Sequence, residues 1–177
     1  MFHVTERLLL RPAWPEDWKG VLEAIADEGI VRNLARAPWP YDEAAARFFV
    51  ELPQDERLPH FLVVESGSGR IIGSAGLGEH DGQPEVGYWF ARDAWGRGYA
   101  AEAARGVVEV AKLLGHRRLV AGHFVDNPAS GRVLRKAGFV PTGCIGKRHS
   151  LARGEQVASI EYVLDLDEAD MLPPMAA

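Results

Sequence analysis

The residues best placed to do chemistry form the turn Trp95-Gly96-Arg97-Gly98-Tyr99-Ala100. Ahead of it, Glu85-Val86-Gly87-Tyr88-Trp89-Phe90 is rich in β-formers, and behind it Ala100 to Leu114 is rich in alanine, leucine and valine and predicts a helix. The first amides of a helix have no internal partner and sit at the positive end of its macrodipole. Glycines let the backbone come close to a ligand, so residues 95 to 101 are a candidate cradle for a diphosphate. Gly96 and Gly98 also suit a plain tight connection, and Gly96-x-Gly98-x-x-Ala101 formally satisfies a dinucleotide fingerprint. Chain order disfavours the fingerprint, because three β-like segments come before the strand that leads into the turn and little more than seventy residues follow it.

Other chemistries lack their residues. The six histidines and one cysteine form no ligand pair at two- to four-residue spacing, so no metal site is expected, and Gly-x-Ser-x-Gly is absent. Cys144 is alone, which rules out an intrachain disulfide and makes a reducing cytosol the default. Met1 to Pro12 has no apolar stretch behind a basic start, and no apolar run approaches the ~20 residues of a membrane span. A cytoplasmic protein without a membrane partner is expected. The net charge of −5 argues against direct nucleic-acid binding. Charge is uneven, however: residues 13 to 58 hold ten acids against five Lys/Arg, and residues 92 to 136 hold nine Lys/Arg against four acids. The later segment suits an anionic ligand and the earlier one a cationic ligand.

The elements that must position this turn can be read in order. A chain of 177 residues with 47% hydrophobic content suits one well-cored domain over 1–177, with Leu172 to Ala177 as a frayed tail. Thr5 to Arg11 predicts a first strand closed by Pro12, and Pro15 to Asp27 a helix. Residues 30 to 58 form a second helical region, with Asp42 capping Glu43 to Leu52. Between them Ala37-Pro38-Trp39-Pro40-Tyr41 is a stiff aromatic loop that suits a plug over the core. Strands are expected at His60 to Glu65, Arg70 to Glu79 and Pro84 to Phe90, joined by short glycine turns into an antiparallel meander. Gly87 inside the last strand marks a bulge or a close backbone approach. In the following helix Glu102, Arg105, Glu109 and Lys112 share one polar stripe. Arg118 to Val125 predicts a further strand carrying a core histidine, His123. Asn127 and Pro128 then open a short helix that stops at Gly138.

With these segments in place the chain resembles the GNAT acetyltransferase superfamily, in its Rim-type branch of ribosomal-protein α-amine acetyltransferases. The resemblance rests on Thr5-Glu6-Arg7-Leu8-x-Leu10-Arg11-Pro12, on Tyr88-Trp89 followed by Trp95-Gly96-Arg97-Gly98-Tyr99-Ala100-Ala101-Glu102-Ala103, on Asn127-Pro128-Ala129-Ser130 and on Lys136-Ala137-Gly138-Phe139. It implies an α/β (α+β) fold with a mixed, mostly antiparallel sheet of about six to seven strands, splayed at its central strands and flanked by about four helices. It implies acetyl-CoA as cosubstrate, with the diphosphate on Trp95, Gly96, Arg97, Gly98, Tyr99, Ala100 and Ala101 and the thioester beside Val86, Gly87 and Tyr88. Asn127 would bind the pantetheine side, and Arg97, Arg132 and Lys136 are candidates for the charged end of CoA. Many relatives carry a tyrosine general acid where this chain has Leu134. In the Rim-type branch the serine, here Ser130, is the proposed proton donor to the departing thiolate. Trp39 and Tyr41 fall in the region that borders the acceptor pocket.

The acceptor decides how much a base matters. At pH ~7.4 neutralising a lysine costs ~4 kcal/mol, whereas an α-amine costs only ~0.5 to 1 kcal/mol. Glu85 and His149 are the candidates, His149 standing where a carboxylate base has been proposed in a Rim-type enzyme. The expected function is acetyl transfer to a protein or peptide α-amine, a ribosomal protein N-terminus being one acceptor of that kind. A small-molecule amine acceptor (amino acid, polyamine or aminoglycoside) and a non-catalytic acyl-CoA-binding module are the alternatives. The oligomeric state stays open, with a homodimer among the options.

Overall fold

The computed structural model describes residues 1–166, so the tail expected at Leu172 to Ala177 lies outside the described residues. The glycine turns produce the meander that they predict: β3 (His60–Glu65), β4 (Ile71–His80) and β5 (Gln83–Phe90) run antiparallel. At the β4–β5 hairpin Asp81 and Gly82 both take positive φ, 50° and 73°, which matches the twist of the flanking strands.

The N-terminal segment departs from the single strand expected at Thr5 to Arg11. It forms a hairpin of β1 (His3–Val4) and β2 (Leu8–Arg11), because the Thr5 side chain and amide close a turn onto Leu8. The expected helix at Pro15 to Asp27 begins as a 3-10 turn, continues as α1 (Trp18–Ile25) and stops where Asp27 caps a separate short helix, α2 (Glu28–Val31), by accepting from the Gly29 amide. Asp42 caps α3 (Glu43–Val50) as expected, its carboxylate 2.9 Å from the Ala45 amide. The rest of the described chain is α4 (Tyr99–Leu113), β6 (Arg118–Phe124), α5 (Pro128–Lys136), β7 (Val140–Ser150) and β8 (Glu155–Asp165). The split N-terminal strand and the extra α2 account for counts slightly above those expected.

The sheet has eight strands in the order β1-β2-β3-β4-β5-β6-β8-β7. Every neighbouring pair is antiparallel except β5 and β6, which are parallel and meet through one residue pair, Glu85↔Val120. Beyond that pair the two central strands diverge, as the splay requires. Gly87 makes no bulge: the β4–β5 register runs unbroken from Gly73↔Phe90 to His80↔Gln83. Its role is to leave space, since a Cβ at Gly87 would meet nothing within 4 Å.

Each face of the sheet carries its own core. Val86, Phe90, Ala121 and Tyr162 pack with α4 and α5 on one face, while Leu62 and Trp89 pack with α1, α2 and α3 on the other. On α4 the expected polar stripe is interrupted, for Glu102 is only 7% exposed. No described helix is long and apolar enough to cross a membrane.

Candidate active site

The β5–α4–β6 crossover brings the C-terminal ends of two diverging parallel strands to the same edge as the starts of α4 and α5, the usual place for a ligand in such a sheet. Gly96 and Gly98 take φ of 74° and 83°, and Gly98 is the N-cap of α4. A Cβ would meet nothing near Gly96 and only Arg7 Nη2, at 3.5 Å, near Gly98. The positive φ, not crowding, therefore calls for glycine here. The first helical bond of α4 runs from the Glu102 amide to the Gly98 carbonyl at 3.1 Å, which leaves the amides ahead of it without intrahelical acceptors. Trp95 to Gly98 are all exposed, and although the Trp95 amide donates to the Arg92 carbonyl at 3.2 Å, the amides from Gly96 onward and the open space beside them fit a diphosphate. Trp95 is anchored by its indole N–H on the Phe90 carbonyl at 2.8 Å. The Tyr99 side chain is buried and donates to Glu65, which also pairs with Arg97 at 3.3 Å.

On the α4/α5 face, Tyr88 from β5 meets Ser130 from α5. The Tyr88 hydroxyl lies 2.9 Å from Ser130 Oγ and 3.1 Å from the Ser130 carbonyl. Burial pushes the Tyr88 hydroxyl well above its ordinary pKa, against the smaller opposing effect of the Ser130 hydrogen bond. Helix α5 comes this close because of Gly131, where a Cβ would sit 2.5 Å from His123 Nε2 and 2.8 Å from the Tyr162 hydroxyl. His123 is buried, its Nδ1 2.8 Å from the Phe124 carbonyl. Leu134, at the position where many relatives place a tyrosine acid, is buried at 1% exposure. Asn127 occupies the N-cap of α5, yet its side chain makes no capping hydrogen bond. Arg132 and Lys136 are exposed on the same helix.

The other face holds a charge cluster. Arg148 on β7 pairs with Glu85 on β5 and with Glu161 on β8, all three largely buried. Burial lowers the Arg148 pKa, but the hydrogen bonds it donates to Glu161 and Glu85 outweigh it and hold the guanidinium above its usual value. Glycine at 122 makes room for this side chain, because a Cβ there would sit 2.8 Å from the guanidinium carbon. His149 follows Arg148 on a strand whose side chains alternate, so it projects to the opposite face, where it is exposed. The structure thus brings Glu85 together with Arg148 and Glu161, and not with His149. In the loop before α3, Trp39 is 40% exposed, while Tyr41 packs among α1, α2 and α3, where burial pushes its hydroxyl to about 12.

Residues 7–140 match the family model described as an acetyltransferase (GNAT) domain. The chain belongs to the GNAT acetyltransferase family. It is similar to YnaD of Bacillus subtilis, described as an uncharacterized N-acetyltransferase, at 27% identity over 150 residues that span 83% of this chain and 87% of YnaD. A GNAT-family acetyltransferase structure from Bacillus anthracis superposes with a TM-score of 0.81 at 26% identity, covering 93% of this chain and 98% of that one. RimL, a ribosomal L7/L12 α-N-protein acetyltransferase in complex with coenzyme A, superposes with a TM-score of 0.78 at 20% identity, covering 94% and 99%. This acetyltransferase is an enzyme with acetyl-CoA as its donor. A purely non-catalytic acyl-CoA-binding module is thereby set aside.

Several members of the site were not singled out from the sequence. Arg148 and Glu161 belong to no motif, and Arg7 and Glu102, though both lie in family motifs, read from the sequence only as part of a strand and of a polar helix stripe. The readable signal was glycine inside an element: Gly122 and Gly131 each mark a place where another residue of this acetyltransferase presses against the backbone.

Proposed function

We propose that this acetyltransferase modifies the α-amine at a protein or peptide N-terminus. The observation that carries this reading is the engagement of Glu85. Glu85, on the face of β5 turned away from α4 and α5, is held in an ion pair with Arg148, which itself leans on Glu161. One oxygen of the carboxylate, Oε1, is thus committed to Arg148 rather than turned to an acceptor amine. A lysine-like amine, whose neutral form costs ~4 kcal/mol at pH ~7.4, needs a dedicated base, but an α-amine scarcely does. The motif resemblance to the Rim-type branch supports the same acceptor class, and RimL, named for an α-N-protein substrate, shares the fold.

Acetyl-CoA supplies the activated acetyl thioester. The chain's own groups then have modest tasks. Amides of residues 96 to 101 hold the diphosphate, with Trp95 flanking them, Asn127 the pantetheine side, and Arg97, Arg132 and Lys136 the charged end. Backbone amides near Val86 to Tyr88, on the edge that β6 leaves uncovered, steady charge on the thioester oxygen. As the amine nitrogen bonds to the acetyl carbon and the C–S bond breaks, the Ser130 hydroxyl gives a proton to the departing sulfur. It is restored by the proton the amine nitrogen sheds through solvent, while Tyr88 fixes where that hydroxyl sits. The exposed ring of Trp39 lines the acceptor side.

The deciding experiment measures free CoA thiol released from acetyl-CoA with a panel of acceptors. It comprises peptides with free N-termini, the same peptides blocked at the N-terminus but carrying lysine, and small amines. Turnover confined to free N-termini supports the proposal. Turnover of polyamines, amino acids or aminoglycosides with none of the peptides would overturn it.

A further inference from the structure

The geometry points to Arg7, in the turn between β1 and β2, as a positioning residue for the diphosphate subsite, an assignment that rests on the placement of the donor's diphosphate at residues 95 to 101. Its guanidinium reaches across the sheet edge and spans two parts of the loop and helix. Nε and Nη2 grip Glu102 Oε2 at 2.8 and 2.6 Å, and Nη1 donates to the Arg97 carbonyl at 3.1 Å. The plane also stacks on the Tyr99 ring, 4.5 Å from its centroid. One side chain therefore ties the last loop residue before Gly98 to the first turn of α4.

Two consequences follow. In a trans peptide the carbonyl and the next amide point in opposite directions. Holding the Arg97 carbonyl toward Arg7 aims the Gly98 N–H away from Arg7, into the open space beside the loop. The second consequence concerns charge. Glu102 places a carboxylate in the first turn of the helix that is to receive an anion, where its negative charge opposes binding. Its oxygens are fully engaged by donors: the Thr5 hydroxyl at 2.6 Å, the Arg7 amide at 2.8 Å and the Arg7 fork. Arg7 cancels that charge, and its planar fork does so while leaving Nη1 for Arg97, which a lysine cannot reproduce.

The test compares donors with and without the diphosphate. For Arg7→Gln, the affinity for CoA by calorimetry should fall by roughly 10-fold and the KM for acetyl-CoA should rise to match, with kcat within about twofold. The KM for S-acetylpantetheine, which lacks the diphosphate, should not change. Arg7→Lys, kept as the milder variant in case the glutamine variant does not fold, should show the same donor-selective loss at smaller size. Equal losses with both donors, or unchanged CoA affinity in a folded variant, overturn the role of Arg7. Gly98→Asp and Gly98→Asn, run in parallel, test the underlying cradle, since the pair differs in charge and not in shape. If both keep the parent's CoA affinity, the diphosphate sits elsewhere; if Gly98→Asp binds far more weakly than Gly98→Asn while the Arg7 variants bind normally, the cradle stands and Arg7 does not position it.

Discussion

Tyr88 and Ser130, from a strand and a helix far apart in sequence, share a close pair of contacts, hydroxyl to hydroxyl at 2.9 Å and hydroxyl to carbonyl at 3.1 Å. Because both groups of Ser130 are engaged, the tyrosine holds the serine by its backbone as well as by its side chain. Leu134 has no proton to give, so under the proposed mechanism Ser130, held by Tyr88, takes the place of the missing acid. Ser130→Ala should lower kcat by ~10- to 100-fold with little change in the KM for acetyl-CoA. Tyr88→Phe should cost less, and the double variant should be no worse than Ser130→Ala, as expected when one residue acts through the other. Burial keeps Tyr88 protonated well past its ordinary pKa, so no alkaline limb of the kcat profile below pH ~10 should disappear in Tyr88→Phe. If kcat of Ser130→Ala stays within about twofold of the parent in a folded protein, the proton comes from elsewhere.

Glu85 and His149 lie on opposite faces of the sheet, which separates their predicted effects. With a peptide α-amine as acceptor, Glu85→Gln and His149→Ala should each cost less than the ~100-fold typical of losing a general base. Glu85→Gln also removes one of the two carboxylates that hold Arg148, so it should lower the melting temperature, whereas exposed His149 should not. Rate and melting curves for both variants check this. A large, equal loss of rate in both would show that a shared base chain exists after all.

Gly131 sets the height of α5 above β6 and β8. Gly131→Ala forces a methyl group to within 2.5 Å of His123 Nε2 and 2.8 Å of the Tyr162 hydroxyl, closer than atoms pack. The helix must lift or the two rings must move, at a cost of ~1 to 3 kcal/mol of stability. Because Ser130 is the adjacent residue, kcat should fall together with the melting temperature. A variant with the parent's melting temperature and turnover would show that the rings yield freely.

The Glu102 pair gives a pH dependence with a definite sign. Burial raises the Glu102 pKa, but hydrogen bonds from Thr5 and Arg7 outweigh it and hold the folded value below the usual one. A carboxylate depressed in the folded state contributes stability that is complete above its unfolded pKa of ~4.3 and is lost as pH falls through the folded value. The melting temperature of Glu102→Gln should therefore lie below the parent's at pH 7, by an amount that shrinks as pH drops through ~4 and beyond. Other depressed carboxylates, such as Asp27 and Asp126, titrate in both proteins and cancel in the difference. A difference that grows toward acid would contradict the pairing.

What the sequence determined by itself is what depends on near neighbours. The β3–β5 meander follows from alternation broken by glycine turns, the Asp42 cap from one side chain beside a helix start, and the Gly96–Gly98 loop from residues able to take positive φ ahead of an apolar run. The family motifs are likewise short runs of neighbouring residues, legible without the fold. The tertiary structure decided which distant groups meet. Periodicity put Glu102 on a stripe of polar residues but could not say that Arg7, 95 positions away, would dock on it and bury it. It likewise carried no sign that Arg148 would choose Glu85 over a partner for His149, or that Tyr88 would find Ser130. Those meetings depend on β8 inserting between β6 and β7, on the parallel strands parting after Glu85, and on how far a glycine lets a helix or an arginine descend. Strand order, splay and close approach arise only when the whole chain packs, because their energies come from contacts between elements and not from the residues within any one of them.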